Sequence, residues 1–209
     1  MPKNDNREYR SMMLNIETRA EGDEPEEKET MIVSGYASTF EEPYTLYEDS
    51  DIILREVVDK DAFADTDMSD VIMQYNHEGR VFARVSNDTL TLEADDVGLH
   101  IRADLGGTEL GRQLYEEIDG GYTDKMSFGF RVKEDKREVT EDHETGNVTV
   151  LRTITKIEKL YDVSAVSLPA NDATSISARN FGKGVIDEIM EEFQKREATK
   201  KRIKILLEV

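Results

Sequence analysis

The sequence predicts an α+β fold that is mostly β: a closed or partly open antiparallel β-barrel, or a curled antiparallel sheet, ringed by a few helices. Two observations predict it. About ten short segments either alternate apolar and polar residues or are rich in strand formers, and turn residues separate them. Only two or three segments carry the period of a helix. No internal repeat is present.

Residues 9–19 read as a first strand. The acidic run from Glu21 to Glu29 repels itself and contains Pro25, so it reads as a mobile loop. Thr30 to Phe40 is a strand with a bend at Gly35, and residues 41–51 are acidic and turn-like. Ile52 to Val58 is a strand, after which Asp59 caps a short helix. Val71 to Tyr75 is apolar and strand-forming, and it runs into a turn or strand end at 76–80. Strands are expected at 81–85, 88–94 and 97–105. Thr108 caps a helix over 109–119, with Leu110, Leu114 and Ile118 as its buried stripe and Gly120-Gly121 as its stop.

Lys125 to Val132 alternates strictly. Met126, Phe128, Phe130 and Val132 share a face that can enter a core. Lys125, Ser127, Gly129 and Arg131 share the other, where Gly129 leaves room for another chain to approach. Residues 134–147 form a charged, protruding hairpin with a turn at 145–147 and a return strand at 148–157. A further strand covers 159–169. Ile186, Ile189, Met190 and Phe193, then Ile203, Leu206 and Leu207, line an amphipathic segment over 183–209 that either docks on the domain or meets a partner. The expected organisation is an N-terminal strand and acidic loop (1–29), a β-barrel domain (30–181) and a C-terminal amphipathic helical segment (182–209).

Composition excludes several functions. The chain has 209 residues and a formal net charge of −19. That balance opposes a general affinity for nucleic acid or for an anionic membrane. No apolar run is long enough to cross a bilayer, and the N-terminus lacks the apolar core of a signal peptide, so a cytoplasm is the expected compartment. Without cysteine there are no disulfides, thiolate metal sites or cysteine nucleophiles.

Three histidines, His77, His100 and His143, leave little material for a metal site. Glu141-Asp142-His143-Glu144 reads as a solvated hairpin face, and no metal or other cofactor is expected. A metal-dependent hydrolase would lose activity on chelation. His100 lies mid-strand and reads as structural. His77 ends an apolar strand, where an imidazole can face a cleft as a general base or simply bond to turn backbone. Nucleophilic catalysis needs a hydroxyl, an imidazole and a group that orients the imidazole. Asp162 lies on an apolar strand with Leu160 and Ser164 on its face, and a buried carboxylate needs a partner. Glu158, Asp124 and His100 are rivals for that third role. On pattern alone, Ser127 reads as an ordinary strand serine.

A set of short stretches adds a resemblance. They are Val33 to Phe40, Val57 to Phe63, Asn76-His77, Thr89 to Leu99 and Thr108 to Arg112, followed by Met126 to Phe130, Leu160 to Ser164 and Pro169 to Asn171. In this order and spacing the chain resembles the prohead, or capsid-maturation, serine proteases of tailed bacteriophages. The resemblance implies an assemblin-like β-barrel, with Ser127 as nucleophile and His77 as base. The family's third member is acidic in a Leu-x-Glu-Val-Ser strand, and this chain carries the shorter Asp162 there. Arg84, Arg131 and backbone at Gly129 are the oxyanion or substrate candidates. The implied partners are the capsid precursor and scaffold protein, with cleavage of the enzyme's own termini, inside the assembling procapsid of a bacterial host. The resemblance also leaves room for a homo-oligomer. The competing class is a non-catalytic scaffold or shell-binding module of the same fold.

Overall fold

In the computed structural model, the structure describes residues 7–12, 31–142, 147–167 and Glu191. The acidic run at 21–29, most of the first strand, the hairpin tip and the segment at 183–209 fall outside the described residues. Ten strands and one α-helix are described: β1 (Glu8–Met12), β2 (Ile32–Thr39), β3 (Tyr44–Glu48), β4 (Ile52–Val58), β5 (Ile72–Tyr75), β6 (Glu78–Arg84), β7 (Leu90–Ala94), β8 (Gly98–Asp104), α1 (Glu109–Asp119), β9 (Lys125–Glu141) and β10 (Val148–Val166). No described helix is long and apolar enough to cross a membrane.

The strands form two sheets. One has seven strands and runs β1-β9-β10-β4-β3, with β5 also paired to β10 and β6 to β5. The other is β2-β8-β7, antiparallel throughout. Among the described residues the pairing does not close a barrel. It is also not wholly antiparallel, because β10 runs parallel to both β4 and β5. The physical reason is the length of β10. Its first half, from Val148 to Ile154, carries β4 on the edge away from β9, and Asp162 to Ala165 carry β5 on that same edge. The chain between β4 and β5 therefore travels along β10, and Asp67 bridges to Lys159 on the way.

Other expectations are corrected. Residues 41–51 contain a strand, β3, because Tyr44 and Leu46 bury against β4. The helix expected after Asp59 is a run of turns, in which the Asp59 carboxylate accepts from the Asp61 N–H. The strands expected at 148–157 and 159–169 are one strand, bent by register shifts between Ile154 and Asp162. The helix at 109–119 is as expected, and the Thr108 hydroxyl accepts from the Gly111 N–H at 3.0 Å. Its buried face is Gly111, Leu114 and Ile118, whereas Leu110 is exposed.

The main core lies against the face of β9 that carries Met126, Phe128 and Phe130, all fully buried. Phe128 and Phe130 stack at 4.5 Å, and Phe63 and Phe40 continue the aromatic row. Truncating either of the stacked rings would cost about 3–5 kcal/mol.

A polar cluster is also buried in this sheet. Glu56 of β4 is wholly buried and takes the Arg10 guanidinium at 2.5 and 3.0 Å, Arg152 at 2.7 Å and the Tyr44 hydroxyl at 2.5 Å. Glu8 bonds to both Arg10 and Arg152, and Asp135 bonds to Arg152. Burial by itself raises the Glu56 pKa, but the two guanidinium groups and the Tyr44 hydroxyl outweigh it and hold the carboxyl below its ordinary value. Burial, and after it the same carboxylate, push the Tyr44 hydroxyl well up.

A carboxyl with a depressed folded pKa stabilises the fold above its unfolded pKa and loses that contribution as the pH falls through the folded value. The melting temperature should therefore drop as the pH falls below about 4, and more steeply in the native chain than in Glu56→Gln. Glu56→Ala, which removes the carboxylate that two buried guanidinium groups share, should cost about 3–5 kcal/mol in urea unfolding. A midpoint unchanged from wild type would show that the cluster carries no stability.

Candidate active site

The site begins with a turn. β5 and β6 are joined by the two residues Asn76 and His77, with Tyr75 opposite Glu78. Both turn residues are left-handed, with φ of 51° and 60°. This is the backbone of a type I′ hairpin turn, which usually takes Asn-Gly. Histidine in the left-handed region costs about 1–2 kcal/mol, so surrounding bonds must hold it. They come from the end of β10 and from Ser167 just beyond it. The Asn76 N–H donates to the Ala165 carbonyl at 3.0 Å, the Ser167 N–H to the Asn76 amide oxygen at 3.2 Å, and the His77 N–H to the Ser164 hydroxyl at 3.3 Å.

The pairing of β9 with β10 supplies the other groups. Ser127 lies opposite Ser164, and Gly129 opposite Asp162. The imidazole is held between the two strands. His77 Nδ1 lies 2.5 Å from Asp162 Oδ1, and His77 Nε2 lies 2.5 Å from Ser127 Oγ. A carboxylate accepts, so Nδ1 carries the proton and Nε2 offers its lone pair to the hydroxyl. The Ser164 hydroxyl donates to the same Asp162 oxygen at 3.1 Å. Asp162 Oδ2 is buried with no hydrogen-bond partner, a desolvation cost that favours a nearby positive charge.

The structure thus brings Ser127, His77 and Asp162 together. Gly129 stands beside Asp162, and its lack of a side chain is what lets the shorter acid fit. A Cβ at 129 would lie 2.4 Å from Asp162 Oδ2 and 2.8 Å from the Tyr9 ring. The chain that approaches Gly129 is this protein's own β1, and Ser127 is fully buried rather than on a wet face. Arg84 makes a two-point ion pair with Asp70, at 2.8 and 3.0 Å. Arg131 lies 3.6 Å from Glu158 and over the Tyr161 ring. Of the rival orienting groups, Glu158 faces Arg131, Asp124 pairs with Lys125, and His100 stacks edge-on with Tyr36 in the three-stranded sheet. Among the described residues no group of three or more acidic or histidine side chains could hold a metal ion.

Sequence reasoning missed four neighbours. Ser164 had a signal, since it follows Asp162 at period two on the same face. Tyr9, Arg10 and Ser11 had none, because only long-range pairing brings them here. The Tyr9 ring lies 4.5 Å from the imidazole. The Ser127 hydroxyl donates to the Arg10 carbonyl at 2.8 Å. That carbonyl and His77 Nε2 compete for a single proton.

An imidazole joined through one nitrogen to a carboxylate and through the other to a serine hydroxyl is the constellation of the serine hydrolases. The comparison with protein families names the kind. The chain belongs to the caudovirus prohead serine proteases, whose family model matches residues 15–192. No curated protein and no solved structure matches it.

Gly129→Ala should force Asp162 or Tyr9 aside and cost about 1–3 kcal/mol in urea unfolding. An unchanged midpoint would mean that the close approach is not held.

Proposed function

We propose that this protein is a serine endopeptidase of phage capsid maturation that works through an acyl-enzyme. The single observation that supports it best is the unbroken hydrogen-bonded series from Asp162 through His77 to Ser127. In this reading His77 Nε2 takes the hydroxyl proton as Ser127 Oγ attacks a peptide carbonyl carbon. Asp162 holds the ring in the useful tautomer and stabilises the imidazolium that forms. The imidazolium then protonates the leaving amine, and water releases the acyl group by the reverse proton path. Ser164 acts as a positioning residue, because it ties the Asp162 carboxylate to the backbone of the His77 turn.

Backbone N–H groups or an arginine would hold the oxyanion. Both arginine candidates already face carboxylates: Arg84 faces Asp70 and Arg131 faces Glu158. The substrates proposed are capsid precursor and scaffold segments, together with the enzyme's own termini, inside the assembling procapsid. The non-catalytic module is the second reading. It predicts binding of the precursor without cleavage.

Purified protein incubated with its capsid precursor tests this by mass measurement. Ser127→Ala should abolish processing, and persistence of the cuts would remove Ser127 from the chemistry. Asp162→Asn should lower kcat by about 10⁴-fold through the wrong imidazole tautomer. Arg84→Ala and Arg131→Ala should each fall well short of the roughly 100- to 1,000-fold loss that follows removal of an oxyanion donor. A loss of that size at either position would reassign the donor to the side chain.

A further inference from the structure

A hydroxyl with no exposed surface cannot reach an external carbonyl, and Ser127 has none. What covers it is β1. This strand lies antiparallel on the outer edge of β9, with Ser11 opposite Ser127, Arg10 opposite Phe128 and Glu8 opposite Phe130. Its carbonyl at Arg10 is the one that Ser127 touches. Five residues of extended backbone on a sheet edge, with one carbonyl at the nucleophile, is how a peptide binds when it adds a strand.

The two faces of β1 are treated differently. Tyr9 and Ser11 point to the catalytic side, where Tyr9 packs on His77 and the Ser11 hydroxyl is buried with no hydrogen-bond partner. Glu8 and Arg10, at period two, point to the other side. There Glu56 takes the arginine, and Arg152 takes the glutamate at 2.7 and 3.1 Å. Both receiving groups belong to the body of the domain and are almost fully buried. If β1 leaves, Glu56 loses a cation and Arg152 loses an anion. The vacated site therefore presents one buried acid and one buried base at the spacing of alternate strand residues. Glu56 and Arg152 would still pair with each other at 2.7 Å, and Arg152 with Asp135, but an apolar occupant would forgo the buried ion pairs that Glu8 and Arg10 make there.

We propose that the β9 edge from Met126 to Phe130 is the substrate-binding edge and that β1 occupies it as an internal stand-in for substrate. The preferred peptide is extended and carries an acidic residue two places before a basic one. Arg152 reads the acid and Glu56 reads the base. The register puts the scissile bond directly after the basic residue. Ser127 Oγ would bond to that residue's carbonyl carbon, the C–N bond to the next residue would break, and the serine proton would pass through His77 to the released amine. The cleavage step rests on the catalytic reading given above, whereas the binding step does not.

The binding test uses the full chain carrying Ser127→Ala, so that no chemistry intervenes. Amide hydrogen exchange of residues 8–12 is followed with and without an excess of a short synthetic Glu-Ala-Arg-Ser peptide. A control peptide carries glutamine in place of both charged residues. The acidic–basic peptide should speed exchange in β1 by about tenfold or more while Met126 to Phe130 stay protected, and the control should not. Equal effects of the two peptides would overturn the charge reading, and no effect of either would overturn the shared edge.

Glu8→Gln with Arg10→Gln, which loosens β1 without touching the domain's receiving groups, makes the second arm. With Ser127 intact, this variant should cut the acidic–basic peptide several-fold faster than wild type. An unchanged or lower rate would show that β1 does not block substrate. Glu56→Gln should erase the preference for arginine over glutamine at the basic position. Retention of that preference would move the basic pocket elsewhere. Failure in the exchange experiment leaves the catalytic reading intact, whereas precursor cleavage by Ser127→Ala would remove the catalytic reading and leave the binding result standing.

Discussion

The register of β10 against β9 is the constraint on which the rest of the structure depends. It sets Ser127 beside Ser164 and Gly129 beside Asp162, so the hydroxyl and the carboxylate share one face of the sheet. A slip of one residue would send Asp162 to the opposite face and break the series at its first bond. The register is secured on both sides. Phe128, Phe130, Leu160 and Val163 bury in the main core, and the bulges between Ile154 and Asp162 take up the mismatch of two long, twisted strands.

The imidazole depends on that register at second hand. His77 stands on a two-residue turn whose left-handed backbone is unfavourable for it. The turn holds its shape because Ser164 and Ala165 at the end of β10, and Ser167 just beyond it, meet its polar groups. One strand thus supplies the carboxylate that meets the imidazole, the hydroxyl that braces that carboxylate and the anchor for the turn that carries the ring. Under the proposed chemistry, rigidity at this point offsets the local strain, since the reacting atoms would have to be aligned before a substrate arrives.

The buried charges around Glu56 follow a different logic. A cluster of this kind adds little net stability over an apolar core of the same volume, yet losing one member is costly. Such an arrangement discriminates between occupants more than it strengthens the fold. It ties the edge strand β1 to the body of the domain through Glu56 and Arg152, and the same contacts decide what else could lie there.

Local signals determined a good part of this protein. Strict alternation from Lys125 to Val132 marked β9 and its core face. Thr108 and the Gly120-Gly121 pair bounded the helix at 109–119, and the apolar run ending at His77 marked the strand before the turn. Side-chain period and turn chemistry are local properties, so they can be read along the chain. Four features were settled only by contacts between residues far apart in sequence. They are the parallel pairing of β4 and β5 with β10, the open pair of sheets, the burial of Ser127 beneath β1, and the meeting of Arg10 with Glu56 and Arg152. Strand order and the company of a buried charge arise from long-range packing, which no short window of sequence contains.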